Sequence, residues 1–395
     1  MIDYDPFSDA VMRDPWPAYA TLRREAPVYY HERYDTWFLS RFEDIWQATI
    51  QDTFTAERGV TPEMVLLKEP PPPDPVFSML DLPRAREYRR MLAPAYSRRA
   101  TAAREARIRA QVRTLLEPLA ARGAFDVYTD LATPLSVAVI AELIGIPQAE
   151  APPLREQIAR FFARTPGQVG TTPENEENRL ALLTRLGEMV GERMQRDDPD
   201  GEDHLSVMLR TPAEEAPLAI GTVVAGLYTM LVTGAEVVPL SVANTAFYLA
   251  AHPDQRRVLV DQPQLIPQAY AESLRFDQPT NLLGRFVKDP VTLRGQRLEA
   301  GQGVMFLWAS ANRDEAEFDR PDVFDIMRRP QRSLSFGHGA HKCIGEHLGL
   351  LEGRVLLEEL LAVAPEYEVE TAGASRAYSE FLHGYDRMPI VFAPR

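Results

Sequence analysis

Residues 335–349 read SFGHGAHKCIGEHLG and hold the only cysteine of the chain, Cys343. Phe336, Gly337, Gly339, His341 and Gly345 crowd the same short loop, and a helical pattern begins just past the cysteine. A cysteine at the start of a helix faces N–H groups without intrahelical partners, which favours thiolate over thiol. The glycines permit tight turns and close backbone approach to a flat ligand. His341 and Lys342 bring cationic donors beside an anion. In this setting Cys343 reads as a ligand rather than as buried filler. Zinc is the rival: His338, His341, Cys343 and His347 are four possible donors. Crowding all four onto one short segment is awkward for a tetrahedron.

Outward from this loop, the composition narrows the class. The chain has 395 residues, with 43 basic against 57 acidic side chains and a net charge of −14. Hydrophobic residues make up 45% and charged residues 25%, which excludes wholesale disorder. The acidic balance argues against a nucleic-acid partner, and one cysteine leaves no intramolecular disulfide. The start, MIDYDPFSDAVMRDPW, lacks a basic region followed by an apolar one, so no signal peptide is expected and a cytoplasmic location is. Between Pro217 and Ala251 the one charge is Glu236. The segment is long enough to span a bilayer, but Gly221, Gly226, Gly234, Glu236 and Pro239 weigh against it, and basic flanks are absent. A helix buried all round is the expectation, with no membrane association.

Helical periodicity marks residues 101–122, 126–146, 176–196, 217–251, 253–276 and 346–363. Residues 28–40 read as two short strands around a polar turn, and strand-like runs return at 284–307 and 378–393. Pro70–Pro73 centre an irregular loop of the kind that often forms a lid or binding element. The expected fold is mainly α with small β-sheets, in a single domain over residues 1–395. Charge is uneven: between Arg84 and Arg113 stand ten arginines against Glu87 and Glu105. That stretch is either a solvated helical face or a docking face for an acidic partner.

The pattern Phe336-x-x-Gly339-x-x-x-Cys343-x-Gly345 resembles the haem-ligand signature of the bacterial cytochrome P-450 family at every defined position. The likeness runs from about Asp5 to Phe392. It implies a haem b cofactor, with Cys343 as the axial iron ligand and Phe336, Gly337 and Gly345 shaping the loop around it. It also implies a buried triad of Glu272, Arg275 and Arg328 bracing that loop. The i, i+3 spacing independently puts Glu272 and Arg275 on one helix face. For the haem propionates the likeness points to Arg89, Arg285 and His341. The histidine the family carries four residues before Arg89 is Ala85 here, which leaves Arg86 or Arg90 as possible substitutes.

The same resemblance implies reductive activation of O₂ and oxidation of a small, largely apolar organic substrate. Two electrons would come from ferredoxin and an NAD(P)H-linked ferredoxin reductase. In the long helix the family reads Ala/Gly-Gly-x-Asp/Glu-Thr-Thr, and this chain reads Thr233-Gly234-Ala235-Glu236-Val237-Val238. Glu236, Gly234 and Val238 are the catalytic candidates, with Glu236 in the proton path and the expected hydroxyl missing at Val238. Pro239 lacks an N–H for the carbonyl of Ala235 and is expected to open the helix there. Residues 60–80 and the groove face from Val232 to Val238 are the candidates for substrate contact. The missing hydroxyl keeps a second class open: a haem-thiolate protein doing radical coupling or peroxide-driven oxidation, or binding a ligand without oxygen insertion.

Overall fold

The computed structural model describes residues 2–74, 76–196, 201–210 and 218–393. Pro75, in the proline loop, and Pro217, at the head of the long apolar segment, lie outside the described residues. The N-terminal part carries helices α1 (Asp9–Arg13), α2 (Trp16–Glu25), α3 (Phe42–Ala48), α4 (Pro62–Leu66) and α5 (Arg84–Leu92). Then come α6 (Arg98–Arg122), α7 (Thr133–Ile144), α8 (Ala151–Phe162), α9 (Pro173–Gln195) and α10 (His204–Arg210). The C-terminal half adds α11 (Ile220–Ala251), α12 (Pro253–Asp261), α13 (Ile266–Phe276), α14 (Trp308–Ala311) and α15 (Glu346–Val363).

Local chemistry sets these boundaries. Ser97 caps α6 by accepting from the N–H of Ala100, and Gly123 ends it at φ +67°. The periodic run 253–276 divides into α12 and α13 because Pro253, Pro263 and Pro267 each sit in the first turn of a helical piece. Strands β1 (Val28–His31) and β2 (Thr36–Leu39) form the hairpin expected over 28–40. They are followed by β3 (Phe54–Thr55), β4 (Ala124–Asp126), β5 (Leu282–Val287), β6 (Val291–Leu293), β7 (Gln296–Leu298) and β8 (Gly303–Leu307). The chain closes with β9 (Glu368–Val369), β10 (Ser375–Arg376), β11 (Tyr385–Arg387) and β12 (Pro389–Val391). The largest sheet has the order β1-β2-β8-β5-β3, parallel only at β2–β8. A second sheet, β4-β12-β9, ties the end of α6 to the C-terminal segment.

Helix α11 is the core helix. It packs against α7, α9, α13 and α15, which bury it along much of its length. Although its length and hydropathy would suit a bilayer span, its apolar surface is spent on neighbouring helices. Pro239 does not open it: α11 runs unbroken from Ile220 to Ala251. A proline inside a helix costs about 3 kcal/mol; close packing on both sides of this one outweighs that cost.

Candidate functional site

The cysteine loop hangs between two anchors. On its C-terminal side α15 is bound to α6 by ion pairs: Arg109 to Glu358 (2.5 Å) and Glu359 (2.7 Å), Arg113 to Glu359 (2.8 Å), and Arg354 to Glu105 (2.6 Å). On its N-terminal side stands the predicted triad. Glu272 accepts from Arg275 Nε and Nη2 at 2.7 and 2.8 Å and from Arg328 Nε at 3.1 Å. Glu272 and Arg275 are wholly buried. Arg275 also reaches the carbonyls of Asn312 and Pro321, and Arg328 those of Asp319, Arg320 and Val323. Two arginines thus satisfy both the carboxylate and the irregular backbone that leads into the loop.

Within the loop, Gly337 and Gly339 adopt φ +67° and +72°. A Cβ on Gly339 would sit 2.4 Å from the carbonyl oxygen of Thr49, so only glycine fits there. His338 stacks on Trp46 at 3.5 Å, and no group of three His, Cys, Asp or Glu donors is gathered for a metal ion among the described residues. The N–H of Cys343 donates to Phe336 O (2.8 Å), closing the loop on itself. Cys343 is exposed to a cavity of about 240 Å³ that it shares with Arg89, Tyr96, Lys342 and His347.

The thiol differs from the sequence-based expectation. Helix α15 begins at Glu346 with Gly345 as its cap, so Cys343 stands one turn ahead of it. Burial pushes the thiol up, and the Gly345 N–H at the sulfur only partly offsets this. A cation at the sulfur, such as a metal ion, would favour the thiolate. Close by stand two arginines and a histidine, with Asp81 the acid whose field reaches Arg285 and His341. Among the described residues Arg285, on β5, makes one hydrogen bond, to Gly284 O (2.7 Å), and burial pushes its pKa down to about 10. His341 is driven to about 4 by burial and by the fields of Arg285 and Arg89. Arg89 is half-buried, lowered by desolvation, and lines a second cavity of about 460 Å³ with Arg86 and Arg90. Ala85 is buried, so nothing at that position replaces the absent histidine. This set of donors suits an anionic ligand beside a sulfur-bound metal.

On α11 the structure separates the three catalytic candidates. Gly234 faces α7, and a Cβ there would lie 2.7 Å from Ile140 Cγ1, so this glycine permits close helix packing. Val238 is 9% exposed, with Cγ2 3.6 Å from where a Cβ of Gly349 on α15 would stand. The open stripe of the helix instead carries Thr229, Thr233 and Val237 at four-residue spacing. Val237 is thus more open than Val238, because one residue turns a side chain by about 100°. Glu236 is buried and accepts from Tyr128 Oη at 2.5 Å. Sequence reasoning gave no sign of Tyr128, which lies 108 residues away. Thr233 could have been found from its spacing to Val237.

The arginine-rich stretch also divides. Arg107, Arg109 and Arg113 are paired with Glu142, Glu358 and Glu359, and Arg104 bonds the carbonyls of Ala95 and Ala100. Arg84, Arg86, Arg90, Arg98 and Arg99 are exposed and form no ion pair among the described residues.

The cytochrome P-450 family model matches residues 260–374, which include the triad residues Glu272, Arg275 and Arg328 and the cysteine loop. Vitamin D(3) 25-hydroxylase of Pseudonocardia autotrophica is 32% identical over 400 residues, covering 99% of this chain and 97% of that protein. The crystal structure of CalO2 superposes with a TM-score of 0.87 at 30% identity and covers all of both chains. CYP109E1 from Bacillus megaterium, in complex with testosterone, gives 0.86 at 25% identity over 98% and 99%. A mainly helical fold with small sheets, a loop built around one cysteine and full-length relatives converge: the chain belongs to the cytochrome P-450 family, the haem-thiolate monooxygenases.

Proposed function

We propose that this protein binds haem b through Cys343 Sγ and inserts oxygen into a small, largely apolar organic substrate. Electrons would come from a ferredoxin and its NAD(P)H-linked reductase in the cytoplasm. The observation that carries this reading is the cysteine sulfur held by the Gly345 N–H beside Arg89 and Arg285, which form no ion pair among the described residues, and beside the neutral imidazole of His341. Haem propionates are the anions that would satisfy them, with Arg86 or Arg90 as further partners through the shared cavity. The bound haem would activate O₂, its thiolate ligand favouring O–O cleavage. The chain's own residues hold the ligand loop rigid through the triad, exclude water with the apolar core around α11, and supply a proton through Glu236. Vitamin D3 and testosterone, named for two of the relatives, are mostly apolar and support a substrate of that character.

Residues 60–80 and the Thr229–Thr233–Val237 stripe are the proposed substrate contacts. The exposed arginines of α5 and of the start of α6 are the proposed ferredoxin face. The test of the haem assignment is the carbon monoxide spectrum of the reduced protein. The wild type should give the red-shifted band of thiolate ligation, and Cys343→Ser and Cys343→His should lose it. An unchanged band in either variant would place the ligand elsewhere. The absence of a hydroxyl at Val237 and Val238 favours a second reading, peroxide-driven or radical chemistry without oxygen insertion. Product carrying one added oxygen, formed in step with NAD(P)H consumption by the ferredoxin pair, decides for the first.

A further inference from the structure

Glu236 sits within the buried core helix without a cationic partner. Among the described residues no salt bridge reaches it, and the one other carboxylate acting on it, Asp386 on β11, carries a like charge. Its two oxygens are in different situations. Oε2 accepts the Tyr128 hydroxyl at 2.5 Å, whereas Oε1 is buried with no hydrogen-bond partner among the described residues. A buried carboxyl with one oxygen held and the other free is an incomplete hydrogen-bond arrangement, and the free oxygen is expected to meet a water or a reacting group. Burial raises the pKa of Glu236 to about 7, so both its protonated and its ionised forms are accessible near neutral pH.

Tyr128 is held for this contact. It lies in the π-helical turn Val127–Ala132 that feeds into α7. Asp126 Oδ1 accepts from the backbone N–H of both Tyr128 and Thr129 at 2.9 Å, and its Oδ2 accepts from Met388 N at 2.9 Å. The backbone carrying the phenol is thereby locked to the C-terminal segment. Tyr128 and Glu236 are both buried, at 8% and 3% exposure.

We propose that Tyr128 and Glu236 form a proton relay, in which Tyr128 is the positioning residue that re-protonates Glu236 at Oε2 while Oε1 delivers toward the open face of α11. In one cycle the O–H bond at Oε1 breaks and its proton passes to a water or reacting group on that side. Oε2 takes the Tyr128 proton, Tyr128 Oη takes one from a solvent hydronium ion, and rotation of the carboxyl carries the protonated oxygen back to the Oε1 position, so one proton has crossed and no bond between heavy atoms has changed. Burial holds the phenol well above its ordinary value, so the outer two transfers are concerted and a free phenolate does not accumulate. The use of this relay in turnover rests on the monooxygenase reading; its existence does not.

The experiment is hydrogen–deuterium exchange of the Glu236 carboxyl, followed by infrared difference spectroscopy on the haem-loaded, full-length protein without substrate or reductant. Glu236→Gln identifies the carboxyl band. Mixing into D₂O should shift that band quickly in the wild type. Tyr128→Phe should slow the shift by about 10²-fold, the lower end of a general acid–base contribution, and Tyr128→His, which restores a transferable proton, should recover it. Equal rates in wild type and Tyr128→Phe would overturn the relay, and so would slow exchange in both variants, which marks the hydroxyl as merely structural. If Tyr128→Phe fails to fold, fluorotyrosine incorporated at position 128 changes the acidity without the shape. Faster exchange then supports the relay and an unchanged rate overturns it. A failed oxygenation assay alters none of these outcomes, so the relay and the monooxygenase reading fail separately.

Discussion

At the scale of single residues, helix phase on α11 makes a prediction that separates neighbours. Val237 shares the open stripe with Thr229 and Thr233, while Val238 is pressed toward Gly349. A valine neither donates nor accepts a hydrogen bond, whereas a threonine does both. Val237→Thr is expected to raise product formed per NAD(P)H, most clearly on substrates without a hydroxyl of their own. Val238→Thr should give no gain and should lower the melting temperature by burying a hydroxyl. Equal coupling in the two variants would refute the assignment of the stripe. Much of the residue-scale site was legible beforehand. Cys343, Gly337, Gly339 and the Glu272–Arg275 pair reveal themselves within a few positions of chain, where backbone geometry fixes what meets what. Tyr128 was not legible, because its contact with Glu236 depends on how a π-helical turn crosses a distant helix.

Elements show the same division between local and tertiary causes. Helices α6, α9 and α15 follow their apolar periodicity, and the break between α12 and α13 follows its prolines. Pro239 misled because propensity speaks for an isolated helix, and α11 is enclosed by others. The short helices α1 to α4 offer too few turns for a period to register. Two predictions belong here. Glu272→Gln leaves the buried Arg275 and the partly buried Arg328 facing a neutral amide. Breaking a buried pair costs about 3–5 kcal/mol, so the variant should melt earlier and retain haem poorly, as thermal unfolding and the haem-to-protein ratio will register. Glu352 on α15 is buried against Ser136 of α7 at 2.9 Å, and burial raises its pKa to about 8. Folded protein keeps this proton where unfolded chain, near 4.5, has lost it. Its contribution is therefore full below pH 4.5 and is lost as pH rises toward 8, at up to about 1.4 kcal/mol per unit. Glu352→Gln should accordingly gain on the wild type steadily from pH 5 to 8. A constant difference in melting temperature across that range would contradict the assignment.

Over the whole molecule, a net charge of −14 surrounds a small basic surface, and only part of the arginine-rich sequence belongs to that surface. Sequence alone counted ten arginines. Folding commits Arg107, Arg109 and Arg113 to carboxylates and leaves Arg84, Arg86, Arg90, Arg98 and Arg99 outward. Charge reversal at Arg98 and Arg99 should slow reduction by ferredoxin and flatten its dependence on ionic strength, with haem content unchanged. Reversal at Arg109 should instead loosen α15. Stopped-flow reduction against salt, beside thermal melting, distinguishes these effects. Normal reduction in Arg98→Glu at low salt would remove that residue from the docking face. The two anchors of the cysteine loop carry a consequence of their own. One is a set of partly solvated ion pairs between α6 and α15; the other is a carboxylate sealed from water with Arg275. Dissolved ions can weaken the first and hardly reach the second. Concentrated salt should therefore free the chain after the sulfur, at α15, while the chain before it stays fixed, so the cofactor would escape as from a door swinging on one hinge.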